Sequence, residues 1–71
     1  MMASSVNGRF GDNLRRIRFA KNISQEQLAE LADLHRTYVS SVERGERNVT
    51  LQTVEKLANA LDVSMSKLMP D

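Results

Sequence analysis

Cysteine and tryptophan are absent from this 71-residue sequence, and histidine and proline each occur once. Without cysteine the chain can form neither a disulfide nor a thiolate metal site, and one histidine does not make a histidine metal cluster. No apolar run approaches the ~20 residues that a membrane-spanning helix needs, and the first residues lack the apolar centre of a signal peptide. We therefore expect a cytoplasmic protein with no membrane anchor, no metal and no other cofactor.

The charge is nearly balanced, with ten Lys and Arg against nine Asp and Glu and a net charge of +1. That balance hides an uneven distribution along the chain. Residues 1–21 carry five basic side chains and one acidic one, a local charge of +4, whereas residues 22–34 carry three acidic side chains and no basic one, a local charge of −3. Such basic and acidic segments matter more for the choice of a partner than the sum does.

Apolar side chains recur at intervals of three and four residues, and no segment shows the strict alternation of a half-buried strand. The sequence therefore predicts an all-α fold. A chain of this length forms a single domain, which we place at residues 7–71 after a loose leader at 1–6. The predicted helices are five, near residues 9–21, 25–32, 36–43, 51–61 and, as a final turn or two, 65–69.

Residue types typical of helix ends support these limits. Ser24 followed by Gln27 fits a capping box, in which each side chain bonds the backbone N–H of the other residue. Thr50 is a good N-cap for the fourth helix, whereas His35 is a weaker cap for the third. Gly45 is expected to adopt the left-handed conformation that ends the third helix.

The second and third helices are separated by only three residues, Asp33-Leu34-His35. So short a gap holds two helices at a steep angle, as in a helix-turn-helix. The residues of the two helices also carry a resemblance, since ISQEQLAELA at 23–32 and YVSSVERG at 38–45 are similar to the sQeqLA and yiS.iErG segments of the Cro/lambda-repressor-type (XRE) family.

The similarity covers residues 9–69 and implies a compact, five-helix, lambda-repressor-like DNA-binding domain. Within the family, HRTYVS at 35–40 and ERGERNVT at 43–50 most resemble the controller proteins of restriction–modification systems. Those proteins are small homodimeric regulators, so the resemblance implies a transcriptional regulator of the same kind.

Base reading is predicted at the start of the third helix, because the N-terminal residues of a recognition helix meet base edges in the major groove. Arg36 and Thr37 take these places, where arginine can bond guanine bidentately and the threonine methyl can contact thymine. Ser41 lies four residues after Thr37 on the same expected face, so we favour it over Ser40 for a DNA contact. The resemblance adds Arg47 as a base-reading residue.

Phosphate contacts are predicted at helix starts and in the loop after the third helix. Gln25, in the first turn of the second helix, can direct its amide and the nearby free N–H groups at a phosphate oxygen. Tyr38 has two interpretations, a phosphate contact through its hydroxyl or a ring packed over the turn, and both can hold. The resemblance implies phosphate contacts for Asn48 and Thr50. Thr53, in the first turn of the fourth helix, is placed for another phosphate contact.

The resemblance further implies that Arg18 and Glu43 form a buried ion pair that ties the first helix to the third. Its role is structural, and breaking such a pair from one side costs ~3–5 kcal/mol because the other charge is stranded. No nucleophile signature, acid partner or glycine-rich phosphate loop accompanies His35. No catalytic residue is therefore predicted, and the chain is not expected to be an enzyme.

More apolar side chains surround the last helix than so short an element can bury, which predicts a two-fold interface. The residues predicted for it are Leu61, Val63, Met65, Leu68 and Met69. The homodimer would bind pseudo-palindromic double-stranded DNA. The resemblance to controller proteins implies activation at low concentration and self-repression when a second dimer fills the adjacent site. Glu26 or Glu30, on the acidic second helix, could then contact RNA polymerase or a neighbouring dimer.

Two other classes of protein stay open at this point. Within DNA binding, the chain could be a phage-type repressor or an antitoxin-type autorepressor. Outside DNA binding, the chain could be a helical adaptor that binds other proteins, keeps the fold and has lost the ability to bind DNA. Against an adaptor stand the polar, DNA-competent side chains that remain at Gln25, Arg36, Thr37, Arg47 and Asn48.

Overall fold

The computed structural model describes residues 5–71, which form five helices and no strand. The helices are α1 (Val6–Ala20), α2 (Gln25–Ala32), α3 (Arg36–Glu43), α4 (Leu51–Leu61) and α5 (Met65–Leu68). The predicted all-α, five-helix fold is confirmed, and the limits of α2, α3 and α4 are those predicted from the sequence.

The first helix begins earlier than predicted. Ser5 is the N-cap of α1, and its hydroxyl accepts a hydrogen bond from the Gly8 N–H at 2.9 Å. Ser5 and Val6 therefore belong to the start of α1 and not to a leader, so the predicted boundary after residue 6 is wrong. The rest of that predicted leader, residues 1–4, lies outside the described residues.

The caps follow the sequence closely. The Gln27 N–H donates to the Ser24 hydroxyl at 3.0 Å, and the Ser24 N–H donates to the Gln27 side-chain oxygen at 2.8 Å, which completes the predicted capping box. Thr50 caps α4 by accepting from the Thr53 N–H at 3.1 Å. His35 occupies the N-cap of α3, and its side chain accepts no hydrogen bond from a backbone N–H of the helix, as expected of a weak cap.

Four chain reversals use one backbone device. At each, a residue with positive φ follows a helix, and the next N–H donates to a carbonyl five residues back, which satisfies carbonyls at the helix end. The four residues are Asn22, Asp33, Gly45 and Asp62, with φ of 62°, 58°, 77° and 58°. Gly45 has a further reason to be glycine, because a Cβ there would lie 2.8 Å from the Gly8 Cα of α1.

The core lies between all five helices and contains twelve buried apolar side chains of the described residues. They are Phe10, Leu14, Leu28, Ala29, Ala32, Val39, Val42, Val54, Leu57, Ala58, Leu61 and Leu68. Around it, α3 packs on α1 and α2, while α4 packs on α2 and α5. The two helices that precede α3 in sequence therefore hold α3 in place.

Leu61 and Leu68 belong to this core, with 2% and 0% of their surface exposed. Their assignment to a dimer interface is wrong, because the short α5 folds back on α4 and α1 and encloses both side chains within one chain. Val63 and Met65 are half-buried against the core, and only Met69 of the predicted set is largely exposed, at 43%.

The two helices α1 and α3 approach each other at backbone distance. A Cβ added to Gly11 would lie 2.5 Å from the carbonyl oxygen of Val42 and 2.6 Å from that of Glu43. Gly11 is itself buried, so α1 covers the C-terminal half of α3. None of the helices between residues 5 and 71 has the length and apolar character needed to cross a bilayer.

Candidate DNA interface

The start of α2 and the outer side of α3 together border one surface depression, which we name the α3 groove. The groove is lined by Gln25, Arg36, Thr37, Ser40 and Arg44. Arg36, Ser40 and Arg44 follow one another at intervals of four residues, so they form a single stripe along the helix. All five lining residues are polar or basic, which suits a surface that meets a polyanion.

Arg36 and Thr37 lie in the first turn of α3 and are both exposed. Among residues 5–71, no hydrogen bond or ion pair restrains the Arg36 guanidinium. The Thr37 hydroxyl lies 3.3 Å from the Nδ1 atom of His35, a contact that the weak cap leaves available. The two predicted base-reading residues thus project from the end of α3 that a helix-turn-helix inserts into the major groove.

Ser41 does not share that outward surface, and its predicted exposure is wrong. Only 7% of its surface is accessible, and its hydroxyl donates to the Tyr38 carbonyl at 2.8 Å. The i+4 spacing does place it one turn beyond Thr37, but α1 crosses α3 at this level and covers that side. Ser40, which the sequence argument ranked lower, lines the α3 groove instead.

A buried ion pair joins α1 to α3, as the resemblance implied. Arg18 Nε lies 2.6 Å from Glu43 Oε2, and Arg18 Nη2 lies 3.0 Å from Glu43 Oε1. A third guanidinium nitrogen, Nη1, donates to the Ile23 carbonyl at 3.0 Å. Arg18 and Glu43 are 6% and 3% exposed, so the bidentate pair is enclosed, with most of its polar atoms satisfied by protein groups.

Gln25 is attached to the same pair. Its Nε2 atom donates to Glu43 Oε1 at 3.0 Å, which anchors the start of α2 to the end of α3. An amide nitrogen carries two hydrogens, so one remains for the predicted phosphate contact at the edge of the α3 groove. The buried carboxylate therefore sets the direction of a side chain at the surface.

The loop after α3 carries Arg47 and Asn48, both exposed. The Arg47 guanidinium lies over the Tyr38 ring, 5.6 Å from its centroid, and this ring is half-buried against the core. The Tyr38 ring therefore packs against the core and under Arg47, while a phosphate contact by its hydroxyl stays a prediction. Asn48 Oδ1 accepts from Asn7 Nδ2 at 2.6 Å, which ties the loop to α1 and leaves the amide nitrogen of Asn48 available as a donor.

Thr50 and Thr53 lie together at the start of α4. Besides capping the helix, the Thr50 hydroxyl donates to the Thr53 hydroxyl at 3.1 Å. The free N–H groups at a helix start favour an anion, so the pair is suitably placed for the predicted phosphate contacts.

Arg44 and Glu46 are two further polar residues at the end of α3 that were not predicted from the sequence. Arg44 Nε and Nη2 donate to Glu46 Oε2 and Oε1, each at 3.1 Å, and Nη1 donates to the Ser40 hydroxyl. The hydrogen bonds between Arg44 and Glu46, and then the charge of Arg44, lower the pKa of the Glu46 carboxyl. The same hydrogen bonds, and then the charge of Glu46, raise the pKa of Arg44. The spacing of eight residues from Arg36 is the signal that would have placed Arg44 on the stripe.

No group of three or more His, Cys, Asp or Glu side chains comes together between residues 5 and 71 to hold a metal. The polar chemistry of the α3 groove is that of hydrogen-bond donors and cations. Such a surface can bind phosphates and base edges.

Known proteins are similar to this chain in both sequence and fold. A helix-turn-helix family model matches residues 14–68. The control protein C.SmaI of Serratia marcescens is 59% identical over 58 residues, which cover 82% of this chain and 69% of that protein.

Two solved structures of controller proteins superimpose closely on this chain. The restriction-modification controller protein C.AhdI from Aeromonas hydrophila has a TM-score of 0.87 and 51% identity over 89% of this chain and 96% of that one. The controller protein C.Esp1396I, a tetramer in complex with its natural 35 base-pair operator, has a TM-score of 0.81 and 35% identity over 87% and 82%. The chain therefore belongs to the helix-turn-helix controller proteins of restriction–modification systems, which are DNA-binding regulators of transcription and not enzymes.

Proposed function

We propose that the chain acts as a homodimer in the cytoplasm and reads a pseudo-palindromic operator with Arg36 and Thr37. The observation that carries this proposal is the Arg36 guanidinium, which no hydrogen bond or ion pair within residues 5–71 restrains. It lies beside Thr37 in the first turn of the second helix of a helix-turn-helix. Arginine in this position can bond the O6 and N7 atoms of one guanine together. Arg47, stacked on Tyr38, would add a second base contact from the loop.

Phosphate contacts around these residues would set the register of the helix on the duplex. Gln25 and Thr53 lie at two helix starts, where free N–H groups favour anions. Asn48, in the loop after α3, and Thr50, the N-cap of α4, are both exposed, and the Tyr38 hydroxyl is a further candidate. Ser40 replaces Ser41 in this set, because Ser41 is enclosed by the fold.

Dimerisation would use the apolar side chains that the core leaves near α5, which are Val63, Met65 and Met69. A two-fold axis would place the two recognition helices about 34–36 Å apart, on successive turns of the duplex. The C.Esp1396I tetramer on its operator supports two dimers per operator here too. A dimer on the first site would activate the operon, and a second dimer on the adjacent site would repress it. Glu26 or Glu30 of α2 would then contact RNA polymerase or the second dimer.

The base-reading role is tested with Arg36→Ala and Thr37→Ala on two duplexes, the chain's own promoter region and a random sequence of equal length. Removing a bidentate base contact costs ~1–3 kcal/mol of discrimination, so we expect the promoter affinity of Arg36→Ala to fall about tenfold or more. The random duplex should lose far less. Lys56→Ala removes the same charge from the exposed surface of α4 and serves as the control. Equal losses on both duplexes for Arg36→Ala would contradict base reading.

A further inference from the structure

Arg36 and Arg44, which both border the α3 groove, differ in their hydrogen-bond and ion-pair partners. Arg36 has no ion partner among residues 5–71, whereas Arg44 is bound through two nitrogens to Glu46 and through the third to Ser40. Both members of the Arg44–Glu46 pair are surface groups, with 53% and 58% of their side chains exposed. One of the two cations bordering the α3 groove is therefore neutralised by the protein itself.

The backbone holds Glu46 in place for this pairing. Gly45 adopts a positive φ of 77° directly after the C-cap residue Arg44, and the Glu46 N–H donates to the Ser41 carbonyl at 3.0 Å. The tight turn brings the carboxylate of Glu46 back beside the side chain two residues earlier. Only the two side chains need to be ordered for the pair to form.

The position of Arg44 along α3 suits a phosphate and not a base. It lies eight residues after Arg36, which is about 12 Å along a helix axis at 1.5 Å per residue. The N-terminal residues of a recognition helix meet the bases, so a residue beyond the C-terminal end of the helix comes level with the sugar–phosphate backbone. A carboxylate and a phosphate present the same pair of acceptor oxygens to a guanidinium.

We propose that Glu46 masks Arg44 from DNA, acting as an internal competitor for the phosphate that Arg44 would otherwise bind. This inference rests on the proposed use of the α3 groove as the DNA-facing surface. Glu46 then limits the sequence-independent part of the affinity, while base reading by Arg36 and Thr37 is untouched. In a chain of net charge +1, the Arg44 cation is thereby withheld from the DNA phosphates.

The primary test is Glu46→Gln, which keeps the shape of the side chain and removes its charge. Releasing one cation to the backbone should steepen the log–log dependence of affinity on salt by about 0.9. The affinity should rise about two- to fivefold near 0.1 M salt, the gain expected when an exposed ion pair gives way to a phosphate contact. The rise should be equal on promoter and random duplexes. Glu55→Gln, an equal change of charge on α4, is the matched control.

Arg44→Ala separates masking from general electrostatics. In the wild-type background Arg44→Ala should change the DNA affinity less than twofold, because Glu46 already binds Arg44. In the Glu46→Gln background it should abolish both the gain in affinity and the steeper dependence on salt. Arg47→Ala should leave the gain of Glu46→Gln intact.

Three results would overturn the proposal: a gain that persists without Arg44, a gain matched by Glu55→Gln, or a large loss from Arg44→Ala alone. These results are independent of the Arg36→Ala test. If base reading fails while the Arg44-dependent gain is present, the proposed recognition residues are wrong and the masking is right. The opposite combination refutes only the masking.

Discussion

Glu43 is the residue on which the geometry of the recognition region depends. Its two carboxylate oxygens accept from Arg18 of α1 and from Gln25 of α2, while Glu43 itself ends α3. An enclosed charge with these partners is stable only while the partners remain, since an isolated buried carboxylate is strongly unfavourable. One acidic side chain therefore couples the stability of the domain to the direction of a proposed phosphate-binding amide.

At this scale we predict that Arg18→Ala destabilises the domain by about 3–5 kcal/mol, because it strands the Glu43 carboxylate. That loss is comparable with what a core of this size supplies. Arg15→Ala on the same helix is the control, since Arg15 and Asp12 form an exposed pair at 3.1 Å and such pairs contribute under about 1 kcal/mol. Urea unfolding of both variants measures the difference. Similar losses would show that burial of the Arg18 pair is unimportant.

At the scale of elements, the crossing of α1 over α3 decides which side of the recognition helix faces solvent. Gly11 allows the two backbones to touch, and the same contact encloses Ser41 and positions Arg18 above Glu43. The outward stripe of Arg36, Ser40 and Arg44 is what remains uncovered.

We predict that Gly11→Ala is destabilising although alanine favours a helix by ~1 kcal/mol over glycine. Its Cβ would lie within 3 Å of three backbone atoms of α3, which cannot rotate away, so α1 must shift. Overpacking of this kind costs about 1–3 kcal/mol. Gly8→Ala, whose Cβ would meet only the Ser5 hydroxyl at 3.3 Å, should be close to neutral. Thermal unfolding followed by circular dichroism compares the two, and a Gly11→Ala protein as stable as Gly8→Ala would refute the close crossing.

At the scale of the whole molecule, association would stabilise a chain that has no cysteine and whose residues 5–71 form a core of twelve apolar side chains. The large apolar side chains that these residues expose lie on separate elements, with Val6 and Phe19 on α1, Leu31 on α2, Leu51 on α4 and Met69 after α5. Of these five, Met69 belongs to the interface that we propose.

We therefore expect Met69→Lys to weaken the homodimer about tenfold or more, because a two-fold interface loses the same apolar contact twice. The fold of one chain should be unaffected, since Met69 is 43% exposed. Leu31→Lys, which also places a charge at an exposed apolar position, on α2, should leave association unchanged. Sedimentation equilibrium gives both dissociation constants. A weaker dimer in Leu31→Lys alone would move the interface to α2.

Much of the fold could be predicted from local patterns. The limits of α2, α3 and α4 follow from Ser24, Thr50 and the apolar spacing, because caps and periodicity act within one turn of helix. The start of α1 was missed because Ser5 caps a first turn whose residues, Val6 to Gly8, carry little apolar pattern. Ser41 was misplaced because spacing along one helix does not reveal which neighbour covers it.

The order of residues was enough to predict an all-helical, cysteine-free chain with a short helix, a tight turn and a recognition helix. Those features depend on backbone propensity and on contacts between residues near in sequence. The packing of the helices was needed to show that Leu61 and Leu68 are enclosed, that Ser40 and not Ser41 lines the α3 groove, and that Glu46 forms an ion pair with Arg44. The reason is physical: exposure depends on which distant helix packs over a side chain, and the pairing of a charge depends on where a turn directs its neighbour.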